Sequence, residues 1–377
     1  MKAQSQPRVL LCSDYLPPSD GGVEQVVEKL AVNLVDQGFE VGVFTLTDQN
    51  QTINLENTPG VSFYTSSAID LTESIGLQSM VSVSALTEFR GVVNDFQPDI
   101  VHAHNRFFYT SALAALYSLW SDYELVTTLH LGDIDMISGI GGAAAKTFEQ
   151  SISRFVISRS SQVIGVSRAV ESIGRSLGAT DTSVVRNAVD VDAFAPSATT
   201  EKSIMYIGRL VRNNGVQDLL AATPQILEEH PNATLHIVGS GPLEEMVRTT
   251  IRSEGMEDSV QLHSYIEDIS DAYDMATVFC RPSYSEGLPL TMLEAMSSQV
   301  VPVVTDIAGV SEVVTDGKTG ILLEPGNIGQ LEARITELLS KPAYRETIAA
   351  AARDYVVDNL TWEQRTEKVI NAYQQVY

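Results

Sequence analysis

The chain has 377 residues, of which 44% are hydrophobic, and this length suits two domains of ordinary size better than one hydrophobic core. Its formal net charge of −24 excludes nucleic acid as the main partner, because an acidic surface repels the phosphate backbone. Apolar runs too short to span a membrane and a polar N-terminus without a signal-peptide core predict a cytoplasmic protein, with at most peripheral contact at the inner membrane face.

Apolar strands and amphipathic helices alternate along the chain, first in one half and then in the other. The first half opens with a predicted strand at residues 8–12 and a helix at 23–37, which Gly38 ends. Further strands are predicted at residues 40–46, 61–65, 100–104, 125–129 and 162–166. The second half restarts with predicted strands at residues 203–207, 234–238, 260–262, 277–281, 301–305 and 320–323. Nearly continuous apolar strands between helices predict two parallel α/β sheets.

Residues 194–200 are the best candidate for a linker, because they are mostly small and polar and include Pro196. We therefore predict an N-terminal Rossmann-like domain at residues 1–195 and a C-terminal one at 196–360. A final helix is predicted at residues 361–377.

The segment 282–296, with the sequence PSYSEGLPLTMLEAM, joins a predicted buried strand to a helix. Glu286 lies in the loop at the carboxyl end of the strand, where open parallel sheets bind ligands. Pro289 suits the first helical position, and the start of the helix offers N–H groups and a positive dipole end to a phosphate. Glu286 and Glu294 can accept hydrogen bonds from hydroxylated rings. This combination favours a nucleotide-sugar ligand.

The same segment closely resembles the signature of the retaining GT-B glycosyltransferases, in the large family that contains sucrose and mannosyl transferases (glycosyltransferase group 1, family 4). Two glutamates separated by seven residues, with Gly-Leu-Pro after the first, carry the resemblance. The simpler alternative for the motif alone is that Glu286 caps the helix and Glu294 is a solvated helix residue.

The resemblance covers nearly the whole chain and implies an α/β protein with the GT-B fold. In that fold two doubly wound Rossmann-like domains face each other across a cleft, and the C-terminal helix crosses back onto the N-terminal domain. The implied enzyme transfers a hexose from a nucleotide diphosphate sugar to a glycan or a lipid-linked acceptor and retains the anomeric configuration. It needs no metal and no cofactor, since the nucleotide diphosphate sugar is a co-substrate.

The resemblance assigns the donor mainly to the C-terminal domain. Glu286 would bind sugar hydroxyls, Glu294 would bind the ribose, and Arg209 would bind the diphosphate. The N–H groups from Leu288 to Leu290 would complete the phosphate site. The other predicted donor-binding residues are Gly21, Gly22, Arg212, Asn214, Gly239, Tyr265, Gly287 and Pro289.

One of these predictions also rests on local chemistry, and another departs from the pattern of the family. The paired glycines Gly21 and Gly22 let a backbone approach a ligand closely at the start of a helix, although a plain turn would also explain them. Relatives carry Gly-Arg-Leu, a few residues and then Lys-Gly where this chain has Arg209 and Asn214. Because Asn214 stands in place of the lysine, a second function remains open, a non-catalytic nucleotide-sugar-binding partner of a glycosyltransferase complex. Arg212 is a nearby cation that could substitute.

Three residue sets complete the predicted catalytic and acceptor regions. His130 ends a predicted strand and is similar to the histidine that contacts the donor sugar in relatives, so we predict Glu286, His130 and Arg209 as catalytic residues. His104, Asn105 and Arg106 end a neighbouring strand and are predicted on the acceptor side. His102 and His104 share one strand face, but no third ligand has a convincing spacing, and we predict no metal site.

The acidic, lysine-poor composition is typical of proteins from cells with a very salty cytoplasm, where salt screens the repulsion between like charges. We therefore expect the free energy of unfolding to rise as KCl increases. A series of urea denaturation curves across KCl concentrations measures this, and full stability in low salt would contradict the interpretation.

Overall fold

The computed structural model describes residues 6–17, 21–48, 58–70, 80–131, 140–196 and 202–377, with the backbone alone for residues 140–149. The chain divides into two compact units. The first unit comprises residues 1–186 together with 362–377, and the second comprises residues 187–361. This division precedes the domain boundary predicted at residue 195, and most of the predicted linker, residues 197–200, lies outside the described residues.

The described residues of the first unit form a seven-stranded parallel sheet and a separate antiparallel strand pair. The strands are β1 (Arg8–Ser13), β2 (Glu40–Thr47), β3 (Val61–Ser67), β4 (Ile69–Asp70), β5 (Met80–Val81), β6 (Ile100–His104), β7 (Glu124–Leu129), β8 (Gln162–Gly165) and β9 (Thr182–Val184). The sheet order is β3-β2-β1-β6-β7-β8-β9, while β4 pairs with β5. The helices are α1 (Gly22–Asp36), α2 (Ala85–Phe96), α3 (Tyr109–Tyr117), α4 (Ile140–Arg159) and α5 (Arg168–Ser176).

Hydrophobic periodicity explains the local structure of this unit. Strand β1 has almost no exposed residue, as expected for a central strand covered on both faces. Helix α1 buries Val27, Leu30, Ala31 and Leu34 in the core, at the spacing of one helix face. The Ser167 side chain accepts a hydrogen bond from the Val170 N–H and so caps the start of α5.

The second unit contains a six-stranded parallel sheet among its described residues, and the prediction of two parallel α/β sheets is confirmed. Its strands are β10 (Ser203–Ile207), β11 (Thr234–Val238), β12 (Val260–His263), β13 (Val278–Arg281), β14 (Val301–Thr305) and β15 (Ile321–Leu323). The sheet order is β12-β11-β10-β13-β14-β15. After a short 3-10 turn at Arg212–Asn214, the helices are α6 (Val216–Glu229), α7 (Glu244–Ser253), α8 (Ile269–Asp274), α9 (Leu290–Ser297), α10 (Ile328–Ser340) and α11 (Pro342–Asn359).

Both sheets have a point at which the order of the strands changes direction. In the first unit the chain moves from β1 outward to β3 and then returns to β6 on the other side of β1. In the second unit it moves from β10 to β12 and returns to β13 beside β10. The carboxyl ends of parallel strands at such a point splay their loops apart and leave a crevice for a ligand. The loops after β1, β6, β10 and β13 are therefore where the fold places its functional residues.

The last helix, α12 (Trp362–Tyr373), belongs to the first unit. The Tyr373 hydroxyl lies 2.7 Å from His102 Nδ1, and His102 Nε2 lies 2.7 Å from Thr128 Oγ1. The buried Arg365 donates to the carbonyls of Val185 and Arg186 at 3.2 and 2.7 Å. These bonds fasten the end of the chain to strand β6 and to the segment after β9.

Acid should destabilise the first unit because His102 is buried as a neutral imidazole. Burial, and then the charge of Arg365, lower the pKa of His102 from 6.5 to about 3. The unfolded chain binds the proton more tightly, so the stability that this residue contributes is complete above pH 6.5 and falls as the pH drops toward 3. Between pH 6 and 5 the free energy of unfolding should fall by about 1 kcal/mol more in the wild type than in His102→Asn. Urea denaturation of both proteins measures the two slopes, and equal slopes would contradict the prediction.

Candidate functional site

Strand β13 ends in an arginine that pairs with the first glutamate of the motif. Arg281 Nη2 lies 2.6 Å from Glu286 Oε1, and the two side chains are only 13% and 12% exposed. Ser283 Oγ donates to the same Glu286 oxygen at 3.0 Å, and Arg281 Nε donates to Ser283 Oγ at 3.3 Å. Burial alone would lower the pKa of Arg281, but the charge of Glu286 raises it overall. The guanidinium therefore stays charged and holds Glu286 in one position.

The other end of the Arg281 guanidinium reaches the first turn of α9. Nη1 donates to Thr291 Oγ1 at 3.0 Å and to the Ile207 carbonyl at 3.3 Å. One side chain thus ties together the ends of β10 and β13, the Glu286 loop and the start of the helix. The sequence did not lead us to predict Arg281 as a site residue. It could have been predicted because it is a basic residue at the end of an otherwise apolar strand.

Glu294 lies on the buried side of α9, and Tyr273 orients it. Tyr273 Oη lies 2.8 Å from Glu294 Oε2 and 3.0 Å from the Thr291 carbonyl. Burial raises the pKa of Glu294 from 4.5 to about 7, although the bond from Tyr273 and the charge of Arg281 oppose the rise. The group is therefore poised between its two protonation states near neutral pH. The simpler alternative for this residue was a solvated helix position, and its burial contradicts it.

The start of α9 is held in place but has no side-chain cap. The helix begins at Leu290, one residue after the predicted start, and Pro289 is the N-cap residue, without a capping hydrogen bond from its side chain. Asn187 Nδ2 donates to the Leu288 carbonyl at 2.8 Å and fixes the loop that leads into the helix. Gly287, Leu288 and Pro289 are buried. An uncapped helix start of this kind offers N–H groups and a positive dipole end to an anion.

The loop after β10 contains the residues predicted to hold the diphosphate. The Arg209 side chain is exposed, and among the described residues it contacts neither glutamate. Asn214 is buried, and its Nδ2 donates to the Arg209 carbonyl at 2.9 Å. Arg212 is exposed in the short 3-10 turn. Asn213 links this loop to the Glu286 loop, because its carbonyl accepts from the Tyr284 N–H at 2.8 Å.

Two further predicted donor residues lie on neighbouring loops of the second unit. Gly239 follows β11 with a φ of 144°, and a β-carbon there would lie 2.1 Å from the Gly208 carbonyl oxygen. Only glycine fits so close a contact between the two loops. Tyr265 follows β12 and is 70% exposed. Its predicted contact with the nucleobase stays a prediction.

The first unit gathers its predicted residues at the carboxyl ends of β6 and β7. His104 Nδ1 lies 3.0 Å from His130 Nε2, with the two rings nearly parallel, and the ring of His102 stacks on that of His104. Burial first, and then neighbouring positive groups, lower the pKa of His104 and of His130 well below 6.5. All three rings are therefore neutral hydrogen-bonding groups. His104 Nε2 is buried and has no hydrogen-bond partner among the described residues.

Asn105 and Arg106 shape the edge beside these histidines. Asn105 has a φ of 65°, which is uncommon for a residue other than glycine, and its Oδ1 accepts from the His130 N–H at 3.2 Å. Arg106 is buried, and its Nη1 donates to the Leu131 carbonyl at 3.0 Å. Strained backbone of this kind concentrates at functional sites. The acceptor-side residues predicted from the sequence thus lie together with His130.

The start of α1 differs from the start of α9. Gly21 is its N-cap residue, and Gly22 is the first helical residue. A β-carbon on Gly21 would lie 2.0 Å from Glu24 Oε2, so a buried carboxylate lies against this helix start. A carboxylate and a phosphate would compete for the same positive end of the helix dipole. Of the two helix starts predicted to hold phosphate, that of α9 is the better suited.

In the described ranges no group of three or more histidine, cysteine, aspartate or glutamate residues is placed to hold a metal ion. No helix in the part of the chain that the structure describes is both long enough and apolar enough to cross a membrane.

Comparison with known proteins gives matches over nearly the full length. The family model described as glycosyl transferases group 1 matches residues 191–355, and that of glycosyltransferase family 4 matches residues 20–193. Glycogen synthase from Mycobacterium tuberculosis is 24% identical, over 98% of this chain and 94% of its own length.

Solved structures show the same fold. Sucrose-phosphate synthase from Thermosynechococcus elongatus superimposes with a TM-score of 0.85 at 20% identity, over 98% of this chain and 99% of the other. HepE from Anabaena, solved in complex with UDP-glucose, superimposes with a TM-score of 0.81 at 18% identity, over 98% of this chain and all of the other. The predicted GT-B fold is confirmed by these structures.

Proposed function

We propose that this protein transfers a hexose from a nucleotide diphosphate sugar to a glycan or a lipid-linked acceptor and retains the anomeric configuration. The chain belongs to the GT-B glycosyltransferases. The observation that carries the proposal is the group of residues around the start of α9. Glu286 lies in the loop before an uncapped helix start and Glu294 lies within the helix; Arg281 holds the first and Tyr273 the second.

The second unit would bind the donor. The free oxygen of Glu294 can accept hydrogen bonds from ribose hydroxyls, while Glu286 can accept from hydroxyls of the sugar. The N–H groups of Leu288 and Leu290 would bind the diphosphate, with Arg209 supplying charge from the neighbouring loop; Pro289, between them, has no N–H to offer. The UDP-glucose complex of HepE supports a donor of this class.

The first unit would serve the acceptor side and the reacting carbon. His104, Asn105 and Arg106 form the edge on which we place the acceptor, and His130 would donate or accept one hydrogen bond at the donor sugar, because its ring is neutral. The bond between the anomeric carbon and the diphosphate oxygen breaks, and the acceptor oxygen bonds to that carbon on the same face. The acceptor proton passes to the leaving diphosphate. We propose that arginine and helix dipole neutralise the leaving group without a metal ion.

The contact made by Asn214 favours a second candidate function, a partner protein that binds a nucleotide-sugar without turnover. The Asn214 amide donates to the Arg209 carbonyl, so this position contributes a backbone contact where relatives have a charge. A protein that binds a nucleotide-sugar without turnover would show tight binding of nucleoside diphosphates and no release of nucleotide from UDP- or GDP-sugars across a broad acceptor panel. Turnover above the uncatalysed rate with any one donor would exclude it.

The role of Glu286 is tested by Glu286→Gln, which keeps the size of the side chain and an oxygen for Arg281. Loss of the carboxylate should weaken its bonds to the sugar in the transition state and lower kcat about 100-fold. Nucleotide release from UDP- and GDP-sugars measures the effect. The control is Glu257→Gln, an exposed glutamate of the same unit, which should keep full activity. Unchanged turnover in Glu286→Gln, with thermal unfolding as in the wild type, would refute the role.

The role of Glu294 predicts proton release when the nucleotide binds. Because its pKa is about 7, roughly half of the free protein carries the proton at pH 7. Ribose hydroxyls donate to the ionised form and lower the pKa, so binding of UDP or GDP at pH 7 should release up to about half a proton. Calorimetry in two buffers with different heats of ionisation measures the number of protons released. Glu294→Gln should release fewer protons than the wild type, because only the terminal phosphate of the nucleotide can then release them. Equal release by both proteins would contradict the assignment.

A further inference from the structure

Arg281 places a buried positive charge beside the start of α9, which is the positive end of the helix dipole. Its Nη1 donates to Thr291, the second residue of α9, so the guanidinium lies beside the first turn of an uncapped helix. The helix dipole makes this region electropositive, and a cation there is unfavourable unless an anion joins it. Glu286 supplies one negative charge, which balances the guanidinium. The positive end of the helix dipole remains, and it favours a second anion beside Arg281.

The same guanidinium lies near Asn214, a neutral residue of the loop after β10. A β-carbon on Gly208 would lie 3.1 Å from Arg281 Nη1 and 3.6 Å from Asn214 Nδ2. The two side chains therefore reach the same small region at the ends of β10 and β13, where the strand order changes direction. A charged group carried by either residue would act on the same ligand atoms.

We propose that Arg281 is a positioning residue of the donor site, which holds Glu286 toward the sugar and supplies from strand β13 the buried charge that residue 214 does not supply for a diphosphate. The inference rests on the proposed function, because it takes a nucleoside diphosphate group as the ligand. Arg281 acts on the sugar through Glu286 and on the diphosphate through its charge. Arg209 then contributes a second, exposed charge.

Three variants test the role of the Arg281 charge. Arg281→Gln removes the charge, and Arg281→Lys keeps it but lacks the planar guanidinium. The double variant Arg281→Gln with Asn214→Lys moves the charge to the neighbouring loop. Arg252→Gln, at an exposed arginine of α7, is the control for net charge. UDP and GDP are the charged probes, and uridine and guanosine are the probes without phosphate. Titration calorimetry or ligand-observed NMR gives each Kd, and circular dichroism checks the fold.

Arg281→Gln should weaken the binding of the preferred diphosphate about tenfold and that of its nucleoside much less, because the charge acts on the phosphates directly and on the ribose only through the pKa of Glu294. The double variant should recover most of the loss, and Arg252→Gln should bind as the wild type does. Equal losses for diphosphate and nucleoside, or no recovery in a folded double variant, would overturn the proposal. If Arg281→Gln does not fold, Arg281→Lys decides, because diphosphate affinity within about threefold of wild type supports the charge and a loss shared by the nucleoside overturns it.

These binding readouts separate the inference from the proposed function. Diphosphate binding that depends on the charge, without turnover of any sugar donor by the wild type, would support Arg281 while contradicting the transferase reaction. Turnover by the wild type together with unchanged diphosphate affinity in Arg281→Gln would support the reaction and overturn the role of Arg281.

Discussion

Arg281 and Glu286 form an ion pair that is almost completely removed from water, and the site in the second unit depends on it. Removing two charges from solvent is expensive, and apolar packing of similar volume often stabilises a fold as well or better. The main role of the pair is therefore to orient the Glu286 carboxylate, rather than to stabilise the fold. It joins the ends of two adjacent strands, a loop and a helix start, and it presents a carboxylate in a fixed position. Loss of either partner alone would leave a buried charge uncompensated.

The two units use the same topology for different chemistry. Each places its polar residues at the carboxyl ends of strands where the strand order changes direction. The second unit collects charged groups and an uncapped helix start, as the binding of a diphosphate requires. The first unit collects three stacked histidines that burial keeps neutral, with a carboxylate against its helix start. Neutral hydrogen-bonding groups suit hydroxyl groups of a sugar or an acceptor better than they suit phosphates.

Much of the fold could be predicted from the sequence, because central strands of parallel sheets are continuous apolar runs and their helices are amphipathic. The strand Ile100–His104 was predicted to the residue, and β1 and β13 to within one residue. The short strands β4, β5 and β9 were not predicted, because two or three residues carry no periodicity. The motif also located Glu286 and Glu294 on their loop and helix.

The partners of those residues could not be predicted in the same way. Arg281 and Tyr273 lie in a strand and in a helix whose patterns indicate packing, and only tertiary structure brings them to the two glutamates. The bond between His102 and Tyr373 joins residues that are 271 positions apart. In the loops the sequence named residues, but their predicted contacts with the donor stay predictions. Arg209 and Tyr265 match positions of the family pattern, and their side chains are exposed.

The most direct measurement is a crystal structure of the protein with a bound nucleoside diphosphate. We predict phosphate oxygens within hydrogen-bond distance of the Leu290 N–H, ribose hydroxyls on Glu294 and the Arg281 guanidinium beside the diphosphate. A nucleotide bound elsewhere, with the start of α9 and both glutamates free of contact with it, would refute this assignment of the donor site.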